Sequence, residues 1–306
     1  MESNKKLAEL KALYAQCFSD SKQVADFLFS TKLGIQNAVT SILNGQVVGA
    51  LYLVEKQLVY LDAKTKYPFI VALGTSAEHR GKGIAGSIIK QALAKIYASN
   101  LPFVGLYPAI TGFYEKYQFT FITQERALCK EGLDFVTTQD SALLLSLYQD
   151  ALAELDFYYS RTQEEMDFRL AEIAADNGKA QLIYSQGKLT GYELGGGEEY
   201  VLHNNINCDT SGKPINGHMA RIVSLAAAFA LTNISIPFSF QVQDHILTQN
   251  NMTISVKNGI ISNSNTANKN IKIEDLTALF FGIMPENAKA FHPYFKKIKG
   301  QIAEKY

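Results

Sequence analysis

The feature that most constrains this chain is the stretch "TSAEHRGKGIAGSIIKQAL", residues 75–93. A charged turn, His79-Arg80-Gly81-Lys82-Gly83, runs into a segment whose apolar residues Ile84, Ile88, Ala92, Leu93, Ile96 and Tyr97 recur at helical spacing. A turn therefore opens a long helix that ends near Ala98. The amides ahead of a first helical turn have no intrahelical acceptor, and the positive end of the helix dipole reinforces them. Such a terminus attracts an anion, and Gly81 and Gly83 let the backbone approach it closely. Ala85 and Gly86 keep the first turn uncluttered, which suits a pyrophosphate.

Two other phosphate turns fit less well. No GxxxxGK[ST] is present, which disfavours triphosphate hydrolysis. Gly81, Gly83 and Gly86 satisfy GxGxxG literally. Yet a hairpin precedes them instead of the opening strand of a βαβ unit, and no acidic residue closes a second strand about 20 residues on. A plain turn with Arg80 solvated is the alternative from the motif alone.

The elements around the turn follow from periodicity. Helical faces are expected over residues 4–17 and 22–29. "NAVTSILNGQVVGALYLVEKQLVYL" reads as strand, Asn44-Gly45 turn, strand, the strongest short-range hairpin signal. "YPFIVALGTS" and "LPFVGLYP" are strands, "GFYEKY" a short helix and "FTFIT" a closing strand. Further on, helices are expected near 137–155, 161–176, 219–231 and 274–281, with hairpins turning at Gly187-Lys188 and within the asparagine-rich stretch 250–269. The outcome is an α/β (α+β) chain.

Composition narrows the partners. Lys+Arg and Asp+Glu both number 29 in 306 residues, so the basic excess of a nucleic-acid or anionic-membrane binder is missing. Cys17, Cys129 and Cys208 are widely spaced with no CxxC, which argues against a disulfide frame and a zinc site. The histidines His79, His203, His218, His245 and His292 show no HxxxH or HExxH spacing, so no metal is expected. The first residues form a charged amphipathic segment unlike a signal peptide, and no apolar run reaches the roughly 18 residues of a membrane span. A cytoplasmic protein is expected.

"VALGTSAEHRGKGIAGSIIKQAL" resembles the acetyl-CoA-binding motif of the GNAT superfamily of N-acetyltransferases, Arg/Gln-x-x-Gly-x-Gly/Ala after a central strand. The resemblance covers roughly residues 1–122 and implies a mixed sheet with flanking helices. It implies that Leu73, Gly74 and Thr75 lend backbone groups to the pantetheine arm. By the same likeness Arg80, Gly81, Lys82, Gly83, Ile84, Ala85 and Gly86 wrap the pyrophosphate. Lys82 would add charge at the pyrophosphate or 3′-phosphate, the alternative being a solvated lysine. "GLYPAITGFYEKYQF" is similar to the segment that supplies the catalytic tyrosine, with Tyr114 at the matching position. A phenol with a pKa near 10 stays protonated at neutral pH and can protonate a leaving thiolate. Tyr107 and Tyr117 are the neighbouring tyrosines that suit a core.

The whole chain resembles the enhanced-intracellular-survival (Eis) type of acetyltransferase. That implies an acetyltransferase domain at 1–122, a reduced second GNAT-like segment at 123–214 and a sterol-carrier-like α+β domain at 215–306. "HMARIVSLAAAFAL", "FSFQVQD", "MTISVKNGIISN" and "IKIEDLTALFFG" carry the last of these. The middle segment is about half the length the likeness asks for. In such enzymes the terminal carboxylate, here that of Tyr306, serves as general base; the alternative is a solvated tail with Lys296, Lys297, Lys299 and Lys305. The acceptor implied is a small-molecule amine or a lysine side chain, attacking directly in a ternary complex; the likeness also implies a homo-oligomer, the alternative being that the shortened middle segment has removed or altered that interface. A second reading is an apolar-ligand carrier with a vestigial coenzyme site. The acidic residues Asp156, Glu164, Glu165 and Asp167 read as a solvated helix face, the alternative being a surface that attracts a polyamine-like substrate, and Phe280-Phe281 as core.

Overall fold

The computed structural model describes residues 2–125, 130–197, 199–202, 215–232, 234, 236–267 and 269–302. Helices α1 (Glu2–Cys17) and α2 (Lys22–Thr31) lead into the meander β1 (Ala38–Leu43), β2 (Gln46–Tyr60) and β3 (Ala63–Thr75). The β1–β2 turn is the expected one, with Asn44 at φ 51° and Gly45 at φ 76°, the left-handed pair that matches strand twist. The run "VVGALYLV" in β2 has no polar alternation because both faces of the strand are covered. Ala50, Tyr52 and Val54 meet Leu10, Leu13 and Phe29 of α1 and α2, whereas Leu51 meets Ile88 and Ala92 of α3 (Ile84–Ala98). The sheet continues through β4 (Phe103–Leu106), and the short helix α4 (Thr111–Glu115) precedes β5 (Thr120–Phe121).

The eight-stranded sheet draws on the whole chain. Its order is Gly300–Gln301, Phe157–Tyr159, β2, β3, β4, Met219–Ile222, β5, with β1 also on β2. The expected helix over 219–231 is thus corrected: Met219–Ile222 is a strand lying antiparallel between β4 and β5, and the helix is Leu225–Ala230, capped by Ser224. All four strand residues are buried, Arg221 among them, and a short run buried on both faces has no periodicity to separate strand from helix. The sheet runs across both expected domain boundaries, 122 and 214.

Three smaller sheets complete the described residues, one of them only the pair Gln124–Glu125 with Ile215–Asn216. The expected helices of the middle segment are Ser141–Leu152 and Gln163–Ala175, the latter opened by a Thr162/Glu165 capping box. They pack on an antiparallel sheet in the order Glu199–Leu202, Lys188–Leu194, Ala180–Ser185, Leu133–Thr138. The hairpin turns at Gln186-Gly187, one residue before the expected pair. Lys32, at the end of α2, ties this unit to the first by donating to Glu172 at 2.9 Å, and inside the unit the buried Arg169 donates to Glu172 at 2.7 Å and Arg161 to Glu199 at 2.6 and 2.8 Å. On the exposed surface Glu165 accepts from the Thr162 amide and so caps a helix, and Asp156 accepts from the Lys299 amide.

The last sheet runs Ile260–Asn263, Thr253–Lys257, Phe238–Gln243, Asn270–Lys272, followed by the helix Ile273–Phe280. It shares a core with the first sheet. Phe281 lies 5.0 Å from both Phe103 and Phe157, and the Tyr60 hydroxyl donates to the Phe280 carbonyl at 2.5 Å. Phe280 and Phe281 are therefore core, as expected. No helix among the described residues is long and apolar enough to cross a membrane.

Burial holds the phenols of Tyr60 and Tyr67 well above the ordinary tyrosine pKa. The native state therefore keeps protons that unfolded phenols release above about pH 10. Stability is expected to be flat below that pH and to fall above it, read as urea midpoints from pH 8 to 11. Phe281→Ala, at 2% exposure, is expected to cost about 3–5 kcal/mol in the same urea titrations.

Candidate functional site

The site begins where two parallel strands part. β3 and β4 pair only at Phe69–Gly105 and Ile70–Leu106, after which β4 ends and β3 continues to Thr75. On that side the edge from Val71 to Thr75 has no strand partner among the described residues. On the other side β2 stays paired, through Ala50–Gly74 and Gly49–Thr75. A bulge interrupts that pairing, with Ala72 and Leu73 together opposite Leu51 and Ala72 at φ 50°. A bulge bends a strand and re-aims its groups. Thr75 Oγ1 is buried without a hydrogen bond among the described residues, an unspent polar atom at the end of this edge. Gly74 is a glycine because α1 passes close by: a Cβ there would sit 2.8 Å from Cys17 Sγ.

The chain then turns into the expected anion site. Ala77–His79 makes one short helical turn, braced by Ser76 Oγ and His79 Nδ1 at 2.8 Å, and Arg80 Nε donates to the Thr75 carbonyl at 3.2 Å. Gly81 and Gly83 stand at φ 74° and 78°. A Cβ on either would meet nothing within 4 Å, so conformation demands glycine here while the space beside the backbone stays open. Gly83 caps α3 with no side chain to accept a hydrogen bond, and the first helical bond is Ser87 N to Gly83 O at 3.0 Å. The amides of Ile84, Ala85 and Gly86 precede that bond and have no intrahelical acceptor. Lys82 is exposed.

Gly86 is buried, and its Cα faces the Tyr117 hydroxyl, which a Cβ would overlap. It makes room for a protein ring, where the sequence suggested room for a ligand. Tyr117 was legible only as a core candidate; a glycine inside a helical pattern is the signal for such an approach.

Tyr114 lies on α4, its ring 5.1 Å from Phe113 and 6.1 Å from Phe119. It is 9% exposed, its hydroxyl makes no hydrogen bond among the described residues, and burial raises its pKa above the ordinary phenol value. It shares an apolar cluster with Ile88 and Ile89 of α3, so the two motif segments pack together. Tyr107 packs edge-on against His218 at 5.1 Å.

Tyr306 lies outside the described residues, as do Cys129, Cys208 and His203. The last described strand, Gly300–Gln301, runs parallel to Phe157–Tyr159 and hence in the direction of β3, and Ile302 is buried. Among the described residues no group of three or more His, Cys, Asp or Glu is arranged to hold a metal ion.

Residues 3–122 match the family model described as an acetyltransferase (GNAT) domain. No curated protein matches the chain by sequence. Among solved structures, a probable N-acyltransferase from Enterococcus faecalis V583 superposes with TM-score 0.76 at 14% identity, covering 99% of this chain and 98% of that one. A GCN5-related N-acetyltransferase from Anabaena variabilis gives TM-score 0.71 at 17% identity, covering 98% and 92%. Eis1 from Mycobacterium abscessus gives 0.74 at 12% identity, covering 100% and 98%. The chain thus has the GNAT mixed sheet with flanking helices, and nearly its full length follows the fold of these solved structures.

Gly83→Ala is expected to lower stability by about 1–2 kcal/mol through its left-handed backbone alone, since its Cβ is unopposed. Gly86→Ala is expected to cost more and to change the near-ultraviolet circular dichroism, because Tyr117 must move; an unchanged spectrum would contradict the contact.

Proposed function

We propose that the protein transfers an acetyl group from acetyl-CoA to a primary amine, in a ternary complex and by direct attack. The observation that carries this reading is the continuity of two unsatisfied backbone surfaces: the unpaired β3 edge ending at Thr75, and the uncapped start of α3 just beyond it. Extended amide-bearing ligands add to such edges as a further strand. In this reading Leu73, Gly74 and Thr75 pair with the pantetheine arm, Thr75 Oγ1 gains a partner, and the Arg80–Gly86 turn takes the pyrophosphate. Lys82 adds charge from solvent.

The amine nitrogen attacks the thioester carbonyl carbon, a C–N bond forms, and the C–S bond breaks with its electrons passing to sulfur. Tyr114 gives its phenolic proton to that sulfur, and the nitrogen loses its extra proton to a base. Burial that keeps Tyr114 neutral keeps its proton available. The direction of Gly300–Gln301 supports the Tyr306 carboxylate as that base; adding one residue after Tyr306 then lowers kcat and leaves KM for acetyl-CoA within about twofold. Polyamines, aminoglycosides and lysine side chains are the acceptor classes to assay.

A second reading, an apolar-ligand carrier with a vestigial coenzyme site, draws support from a cavity of about 320 Å³ between the β2–β3 turn and the last helices. Leu61, Ile234, Phe280, Tyr294 and Phe295 line it. It requires lipid to accompany the purified protein and acetyl-CoA to leave the melting temperature unmoved.

Thiol release with an amine panel tests the main reading, and Tyr114→Phe is expected to lower kcat by about 10²-fold or more. The wild-type rate is expected to hold through the pH range where ordinary phenols ionise and to fall only as pH rises through the raised Tyr114 value. An unchanged rate in Tyr114→Phe removes the phenol from the mechanism.

A further inference from the structure

On the transferase reading, Tyr114 and Tyr117 have to be held in place. Both belong to one short segment: Tyr117 N and Phe119 N bond back to the Tyr114 carbonyl, at 2.9 and 3.4 Å, and Tyr117 stands on Gly86 at the first turn of α3. The segment leaves through Gln118, at φ 62°. Glycine adopts that conformation freely, whereas a residue with a Cβ is strained by contact with its own carbonyl. A glutamine here needs compensation.

Its side chain supplies it. Gln118 is 6% exposed. Its Nε2 donates to Glu274 Oε2 at 2.8 Å and its Oε1 accepts from the His245 amide at 2.8 Å. Both partners come from the C-terminal third of the chain. Next to it, Arg221 Nη1 donates to the Tyr117 carbonyl at 3.2 Å. Arg221 is fully buried and is held by Asp244, whose two oxygens lie 2.7 Å from Nη2. Asp244 in turn accepts from the Ile246 and Leu247 amides and from Asn250 Nδ2. A buried pair of this kind adds little net stability but fixes geometry, because either partner alone would be a stranded charge.

We infer that Gln118 and Arg221 are positioning residues, through which the C-terminal third clamps the Tyr114–Tyr117 segment against the start of α3. The acid and one wall of the phosphate turn are thus set by residues 104 to 156 positions away in sequence, and the first 122 residues alone leave them unclamped.

Gln118→Gly removes both side-chain bonds while relieving the left-handed strain, so the fold survives. Its kcat is expected to fall at least tenfold with KM for acetyl-CoA within about twofold. In a Tyr114→Phe background the same change is expected to cost less than twofold, because the acid it positions is already gone. Amide exchange read by mass spectrometry is expected to speed up at least tenfold over residues 113–119, with the middle sheet unchanged. Equal losses of kcat in both backgrounds, or an unaltered kcat with unaltered exchange, would overturn the clamp. A wild-type protein that acetylates no amine would overturn the transferase reading, and the exchange result would still decide the clamp.

Discussion

Everything at the site depends on β3 losing its neighbour. Two parallel pairs hold β3 to β4, and then β4 stops while β3 goes on to Thr75. A strand edge inside a folded protein carries donors and acceptors that must be satisfied or left to water. Here they open toward the helix start at Gly83, which carries the same unsatisfied donors. The bulge at Ala72–Leu73 is the local device for aiming this edge, and β2 on the far side keeps the strand rigid while it is exposed.

The parting of the strands is stable because the rest of the sheet is closed around it. Met219–Ile222 covers the outer edge of β4, and Phe157–Tyr159 with Gly300–Gln301 covers the end of β2. Aromatic residues from three distant stretches, Phe103, Phe157 and Phe281, meet beneath that sheet. The C-terminal third therefore supplies a strand to the eight-stranded sheet, a core beneath it and hydrogen bonds to the segment bearing Tyr114. These three roles make it part of the site's scaffold.

The glycines show how one residue type serves different physical ends within six positions. Gly81 and Gly83 are fixed by backbone angle and face open space; Gly86 is fixed by the ring of Tyr117. Gln118 is the counter-example, a left-handed position held by an amide side chain whose two bonds glycine could not make. Local motif spacing cannot separate these cases, because the neighbour that matters is remote in sequence.

By itself the sequence determined the local elements: the Asn44-Gly45 hairpin, the long helix to Ala98, the glycine turn before it and the placement of Tyr114 on a short helix after β4. Those follow from periodicity and from residues with restricted or permissive backbones, which act over a few positions. Tertiary structure alone decided that "HMARIVS" is a strand in the first sheet, that the sheet crosses the expected boundaries, and that Tyr117, Gln118 and Arg221 surround the site. The reason is that a doubly buried strand and a buried arginine take their identity from what packs on them, and no nearby residue encodes that partner.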